Sequence, residues 1–212
     1  MELCELTHRT FQENDLPDCR PIRYLTMAEA MRLINACDSD FRLLVQAALM
    51  TGARYGTLTR LTVSDFNPDA GTVAIRTSRK SKPFHVVLTD EGVRFFRQVC
   101  AGRLGGEVML RKEDGSAWGM SYQLRPIAAA SERSKITPAV NFHCLRHTWA
   151  SHAVMNGMPL MVVARNLGHV DTRMVEKHYG HLAPSFISDA IRAGAPRFGF
   201  KAEWKVVTMD GA

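Results

Sequence analysis

Three short β-branched runs constrain this chain more than any other feature: LTVSDFN (61–67), TVAIRT (72–77) and FHVVL (84–88). Only the turn sequences PDAG and SRKSKP separate them, so they read as a three-stranded antiparallel sheet. Most of what surrounds them has helical period. The expected class is therefore α+β, mainly helical, with one small sheet.

The helices announce themselves by their ends. TMAE (26–29) is a capping box that opens a helix carrying Met31, Leu33, Ile34 and Cys37. DFRLLVQAALMTG spaces Phe41, Leu44, Val45, Ala48 and Leu49 at helical intervals and stops at Gly52. DEGVRFFRQVCAG and MSYQLRPIAAASERS predict two more helices. HCLRHTWASHAVMNG predicts one ending at Gly157, and PLMVVARNLG one with Pro159 in its first turn, ending at Gly168. SFISDAIRAG reads as a last helix and EWKVVTM as a terminal strand. Residues 1–23, with Asn14, Asp15, Pro17 and Pro21 and little periodicity, read as a linker or tether.

At 212 residues the chain holds one large domain or two small ones, and 46% hydrophobic and 23% charged residues are ordinary for a soluble protein. It lacks the roughly 18–20 consecutive apolar residues of a membrane span. Its start, MELCELTHRTFQEND, lacks a basic-then-apolar signal pattern, so a cytoplasmic location is expected. Five cysteines without a CxxC pair read as free thiols. A net charge of +6 and a pI near 9.3 favour a polyanionic partner.

Three stretches carry candidate chemistry. In TGARYGTLTRL, Arg54 follows a tight turn at the end of an apolar helix, where rigid elements would hold it. In FHCLRHTW, His143 and Arg146 share a helical face, and His147 lies four residues from His143. Two readings compete there. The histidine pair could ligate a metal, as in HExxH helices, but no glutamate lies between them and no third ligand is evident. An anion site fits better, with Arg146 as a bidentate phosphate clamp and His143 as a second donor. In NLGHVDTRMVEKHYGH, His169 follows a helix-ending glycine and Tyr179 lies ten residues beyond. Two arginines, two histidines, a tyrosine and the hairpin lysines are the parts that metal-free phosphoryl transfer requires.

Taken in order, TGAR, HCLRHTWAS, NLGH and EKHYGHLAP resemble the catalytic domain of the tyrosine recombinases, the phage integrase family, over roughly residues 24–195. The resemblance implies that family's mainly helical fold with its small sheet. It also implies that Arg54 and Arg146 bind phosphate, that His143 and His169 complete the site, and that Tyr179, on a mobile segment, is the nucleophile. The hairpin turn would supply a general acid: Lys80 is preferred, with Arg79 and Lys82 as alternatives and as DNA contacts. His178 and His181 need no catalytic role.

The implied activity is site-specific recombination of double-stranded DNA through a 3′-phosphotyrosyl intermediate, for integration or excision. It would need neither cofactor nor metal, and four protomers would act on paired sites through a Holliday junction. Three departures stand out. Thr57 occupies a position often acidic in the family, and the His169–Tyr179 spacing is one residue longer than the commonest. Residues 1–23 would be the linker from a missing N-terminal DNA-binding domain, leaving 24–212 as the catalytic domain. Rival readings are a non-enzymatic regulator using ASHAVMNGMPLMVVARNLG as a helix-turn-helix, a histidine-rich metalloenzyme, and a type IB topoisomerase.

Overall fold

The computed structural model describes residues 22–76, 83–182 and 191–199. The capping box at Thr26 forms in full: Glu29 N donates to Thr26 Oγ1 (3.2 Å) and Thr26 N to Glu29 Oε2 (2.8 Å). It opens α1 (Met27–Ala36), which buries Ala30 and Leu33. Met31 is 53% exposed, because the buried stripe of this helix runs through positions 30 and 33. Next comes α2 (Ser39–Thr51), whose Phe41, Leu44, Val45, Ala47 and Ala48 are buried, and then the short α3 (Tyr55–Leu58).

The sheet has order β1-β2-β3 and is antiparallel throughout, with β1 at Phe66–Asn67, β2 at Thr72–Ile75 and β3 at Phe84–Val87. Val73 pairs with Val86 and Ile75 with Phe84, and Val73, Ile75 and Val86 turn into the core. The first strand is much shorter than LTVSDFN suggests. Residues Val63–Asp65 form a 3₁₀ turn instead. The Asp65 carboxylate accepts from Thr62 N and from Thr62 Oγ1, each at 2.9 Å, and so offers the backbone an alternative to the ladder.

Beyond the sheet lie α4 (Asp90–Cys100) and α5 (Leu124–Arg133). The start of α5 falls later than MSYQLRP implies, since Ser121 has φ +65°, outside the helical region. Then come α6 (Phe142–Met155), α7 (Leu160–Asn166) and α8 (Arg173–Tyr179), with a 3₁₀ turn at Gly180–Leu182. Residues 191–194 are helical. Residues 1–21 of the 1–23 tether, the hairpin turn at 77–82, most of SFISDAIRAG and the EWKVVTM strand lie outside the described residues.

Helix α6 organises the molecule. Its first half joins the main core, where Phe142 meets Phe41 at 6.2 Å and Tyr55 at 5.2 Å between ring centroids. Its second half, Ala150, Ala153 and Val154, joins a smaller core with Val163, Ala164, Leu167, Val175 and Tyr179. A helix buried along most of its circumference has no need of an amphipathic sequence. Residues 23–25 run along it: Cys144 Sγ donates to Arg23 O (3.3 Å), Leu25 N to Thr148 Oγ1 (2.9 Å), and His152 Nε2 bonds Leu25 O (2.8 Å). Among the described residues, no helix is long and apolar enough to cross a membrane.

Candidate active site

The end of α2 sets the first arginine. Thr51 is fully buried; its hydroxyl donates to Ala47 O (2.6 Å) and accepts from Ala53 N (3.2 Å), fixing the turn. Gly52 holds φ +67°, and a Cβ there would lie 2.8 Å from Leu167 Cδ2 and 3.0 Å from Trp149 Cε3. Only glycine meets both demands. Arg54 follows as the N-cap of α3 and is exposed.

Asn141 caps α6 through its side chain, accepting from Cys144 N at 2.9 Å. One turn on, Arg146 is 5% exposed. Its Nη1 donates to Gly52 O and its Nη2 to Leu167 O and His169 Nε2, all at 2.9 Å. Burial first, and then the charge of Arg54, lower Arg146 to about 10, so it stays cationic at neutral pH. Among the described residues, neither Arg54 nor Arg146 has a carboxylate within ion-pair distance.

His169 is placed by the end of α7. Gly168 has φ +71° and His169 N returns to Ala164 O at 2.9 Å, a left-handed closure that turns the chain back on the helix. A Cβ on Gly168 would come within 2.5 Å of Phe84 Cζ, so β3 packs directly on this turn. A guanidinium can only donate, so His169 Nε2 accepts and Nδ1 carries the ring proton. That Nδ1 is buried without a partner. Burial, then Arg146 and then Arg54, lower the His169 pKa and favour this neutral form.

Tyr179 is the last residue of α8 and is 4% exposed. Its hydroxyl lies 2.6 Å from His147 Nδ1. Burial pushes the phenol up to about 12, against the opposing pull of Arg146. Burial likewise lowers His147 to about 4, with His143, His178 and Arg146 adding to the effect. The His143 ring stands perpendicular to His147, centroids 4.6 Å apart, and burial followed by Arg146 and Arg54 lowers its pKa too.

The structure thus gathers Arg54, His143, Arg146, His169 and Tyr179 in one region. Ala53, Arg54, Thr57, Phe84 and Arg146 line a common pocket there, so Thr57 lies beside both arginines. Lys80, Arg79 and Lys82 lie outside the described residues, although Ile75 and Phe84 on the flanking strands reach the pocket. His178 is near Tyr179, with ring centroids 6.2 Å apart, and His181 is exposed. Sequence reasoning weighed His147 only as a metal ligand and missed its bond to Tyr179. The i, i+4 spacing put it beside His143, and nothing in the spacing told which way α8 would pack. Among the described residues, no group of three or more His, Cys, Asp or Glu side chains is placed to hold a metal.

Residues 23–185 match the family model described as "Phage integrase family". The integrase of Salmonella phage P22 is 29% identical over 194 residues, covering 86% of this chain and 50% of that protein. The integrase of Escherichia phage 186 is 30% identical over 193 residues, covering 85% and 52%. The chain therefore spans about half the length of the curated relatives it matches. Among solved structures, the catalytic domain of bacteriophage HP1 integrase superposes with a TM-score of 0.63 at 28% identity, over 82% of this chain and 95% of that one. XerA recombinase, at 24% identity over 84% of this chain and 67% of that one, gives a TM-score of 0.66 and shares the fold. The α6–α7 pair that a helix-turn-helix regulator would use here forms a core with α8, and the family match gives that reading no support.

Proposed function

The chain belongs to the phage integrase family, and from that premise we propose that it is the catalytic unit of a site-specific recombinase that cleaves and rejoins double-stranded DNA. Two cations, Arg54 and Arg146, without a carboxylate partner among the described residues, the second of them buried, carry this reading. Desolvating a guanidinium costs several kcal/mol, and carbonyl contacts offset only part of that. A bound anion completes the balance. The two hydrogen-bonded Arg146 nitrogens leave further N–H donors of the fork for phosphate oxygens.

In this reading Arg54 and Arg146 bind the non-bridging oxygens of the scissile phosphate and His143 and His169 add donors. Tyr179 attacks phosphorus, leaving a 3′-phosphotyrosyl ester and a free 5′-hydroxyl. Lys80 protonates the departing oxygen, while Arg79 and Lys82 contact the backbone. The ester conserves the bond energy, so the 5′-hydroxyl of a partner duplex can resolve it without ATP, with four protomers assembled on two sites. Residues 24–212 form the catalytic unit and 1–23 its linker to a DNA-binding module.

The test is a nicked suicide duplex carrying the attachment core cloned from the junction that flanks the coding sequence, with EDTA present. The native protein should form an SDS-resistant adduct, and Tyr179→Phe, which deletes one hydroxyl, should bind the duplex and form none. An adduct from the Phe variant would remove Tyr179 from its role.

A further inference from the structure

We propose that His147 is a catalytic residue of this reaction: its Nδ1 takes the Tyr179 phenolic proton as the tyrosine oxygen attacks phosphorus. The inference rests on the strand-cleavage reading above and adds to it the group that activates the nucleophile.

The geometry is direct. His147 lies one residue past Arg146 on α6, and Tyr179 closes α8; the bond between them spans two helices packed through Ala150, Val154 and Val175. At 2.6 Å it is short for a hydrogen bond between neutral groups. Its direction follows from burial. Tyr179 is 4% exposed, and among the described residues its hydroxyl has no other partner than His147 Nδ1. If Nδ1 carried the proton, the phenolic O–H would be buried without an acceptor, which costs the full desolvation of that group. Nδ1 therefore accepts, and Nε2 carries the ring proton.

The surroundings keep it ready to accept. His143 and Arg146 face it from α6, and His178 from α8 beside Tyr179 itself; Arg54 acts on His143 and Arg146 from the end of α2. Burial and these neighbours hold His147 at about 4, so the ring is unprotonated at neutral pH and loses its acceptor only as pH falls toward that value. A phosphodiester held by Arg54 and Arg146 adds negative charge to this cationic region and raises the proton affinity of His147. Substrate binding thus strengthens the base.

The wide gap between this histidine and a phenol near 12 means that the proton moves with attack, not ahead of it. As the tyrosine O–H bond breaks, the Nδ1–H bond forms; as the O–P bond forms, the bond to the 5′ oxygen breaks. That oxygen leaves with the electron pair and is protonated by the hairpin acid. On rejoining, the departing phenolate recovers its proton from His147.

Two substitutions test this on the suicide duplex in single turnovers from about pH 3.5 to about pH 9, a range that crosses the His147 value of about 4. His147→Asn keeps a hydrogen-bond acceptor near the Nδ1 position that cannot take up a proton, and His147→Phe removes the acceptor. Both should bind the duplex normally and cleave roughly 100- to 1,000-fold more slowly. The acid limb of the native pH profile, where His147 protonates, should vanish in the Asn variant. Nitrogen-15 NMR of the DNA-free protein should show His147 Nδ1 unprotonated. Native rate and native acid limb in His147→Asn would overturn the proposal, as would a proton on Nδ1. Absence of any adduct from the native protein would instead sink the strand-cleavage reading itself.

Discussion

Arg146 shows how much one side chain can be asked to do. It joins the α2 turn, the α7 terminus and His169 through three hydrogen bonds, and its charge reaches Tyr179. Loss of a transition-state donor of this kind costs about 3–4 kcal/mol, so Arg146→Ala and Arg54→Ala should each slow single-turnover cleavage roughly 100- to 1,000-fold. Arg146→Lys should recover little, because a point charge cannot reproduce the planar fork between the Gly52 and Leu167 carbonyls. Cleavage at the native rate in the lysine variant would reduce Arg146 to a diffuse electrostatic contributor. At this scale Arg54, His143, Arg146, His169 and Tyr179 were legible, because each sits in a short local pattern. The His147–Tyr179 bond was not: it depends on how two helices far apart in sequence pack.

At the scale of elements, the hairpin meets the site through Phe84, which rests on the Gly168 turn and lines the pocket with the arginines. That contact brings Phe84, at the start of β3, to the arginines, while Lys80 itself lies outside the described residues. If Lys80 is the general acid, Lys80→Ala should cleave ordinary DNA poorly. It should cleave a 5′-bridging phosphorothiolate at close to the native rate on that substrate, since sulfur departs without a proton. Arg146→Ala should stay impaired on both. Rescue by sulfur in Arg79→Ala or Lys82→Ala, and not in Lys80→Ala, would move the role along the turn.

Helix ends were read well from Thr26, Gly52, Gly157 and Gly168, whose chemistry is local. The first strand was overestimated because the bonds from Thr62 to the Asp65 carboxylate compete with β-propensity. Met31 lies on the exposed side of α1, and periodicity alone does not say which apolar stripe a neighbouring helix will cover.

For the molecule as a whole, the proposed recombinase reading, together with the net charge of +6 and the absence of a carboxylate beside Arg54 and Arg146 among the described residues, predicts DNA binding dominated by phosphate contacts. Binding to a duplex should be weak and should fall steeply with salt, log K declining linearly with log salt concentration. Tight, salt-insensitive binding in a fluorescence-anisotropy titration would contradict this. The segment at residues 23–25 adds a mechanical property. It is fastened to α6 at Cys144, Thr148 and His152, successive positions four residues apart on the helix that bears Arg146 and His147. Three fastenings along one rod share a load in shear, where a single attachment would peel. Tension or torque applied to the chain ahead of residue 22 is therefore delivered to the axis of α6, as a strain gauge bonded along a beam is coupled to its bending.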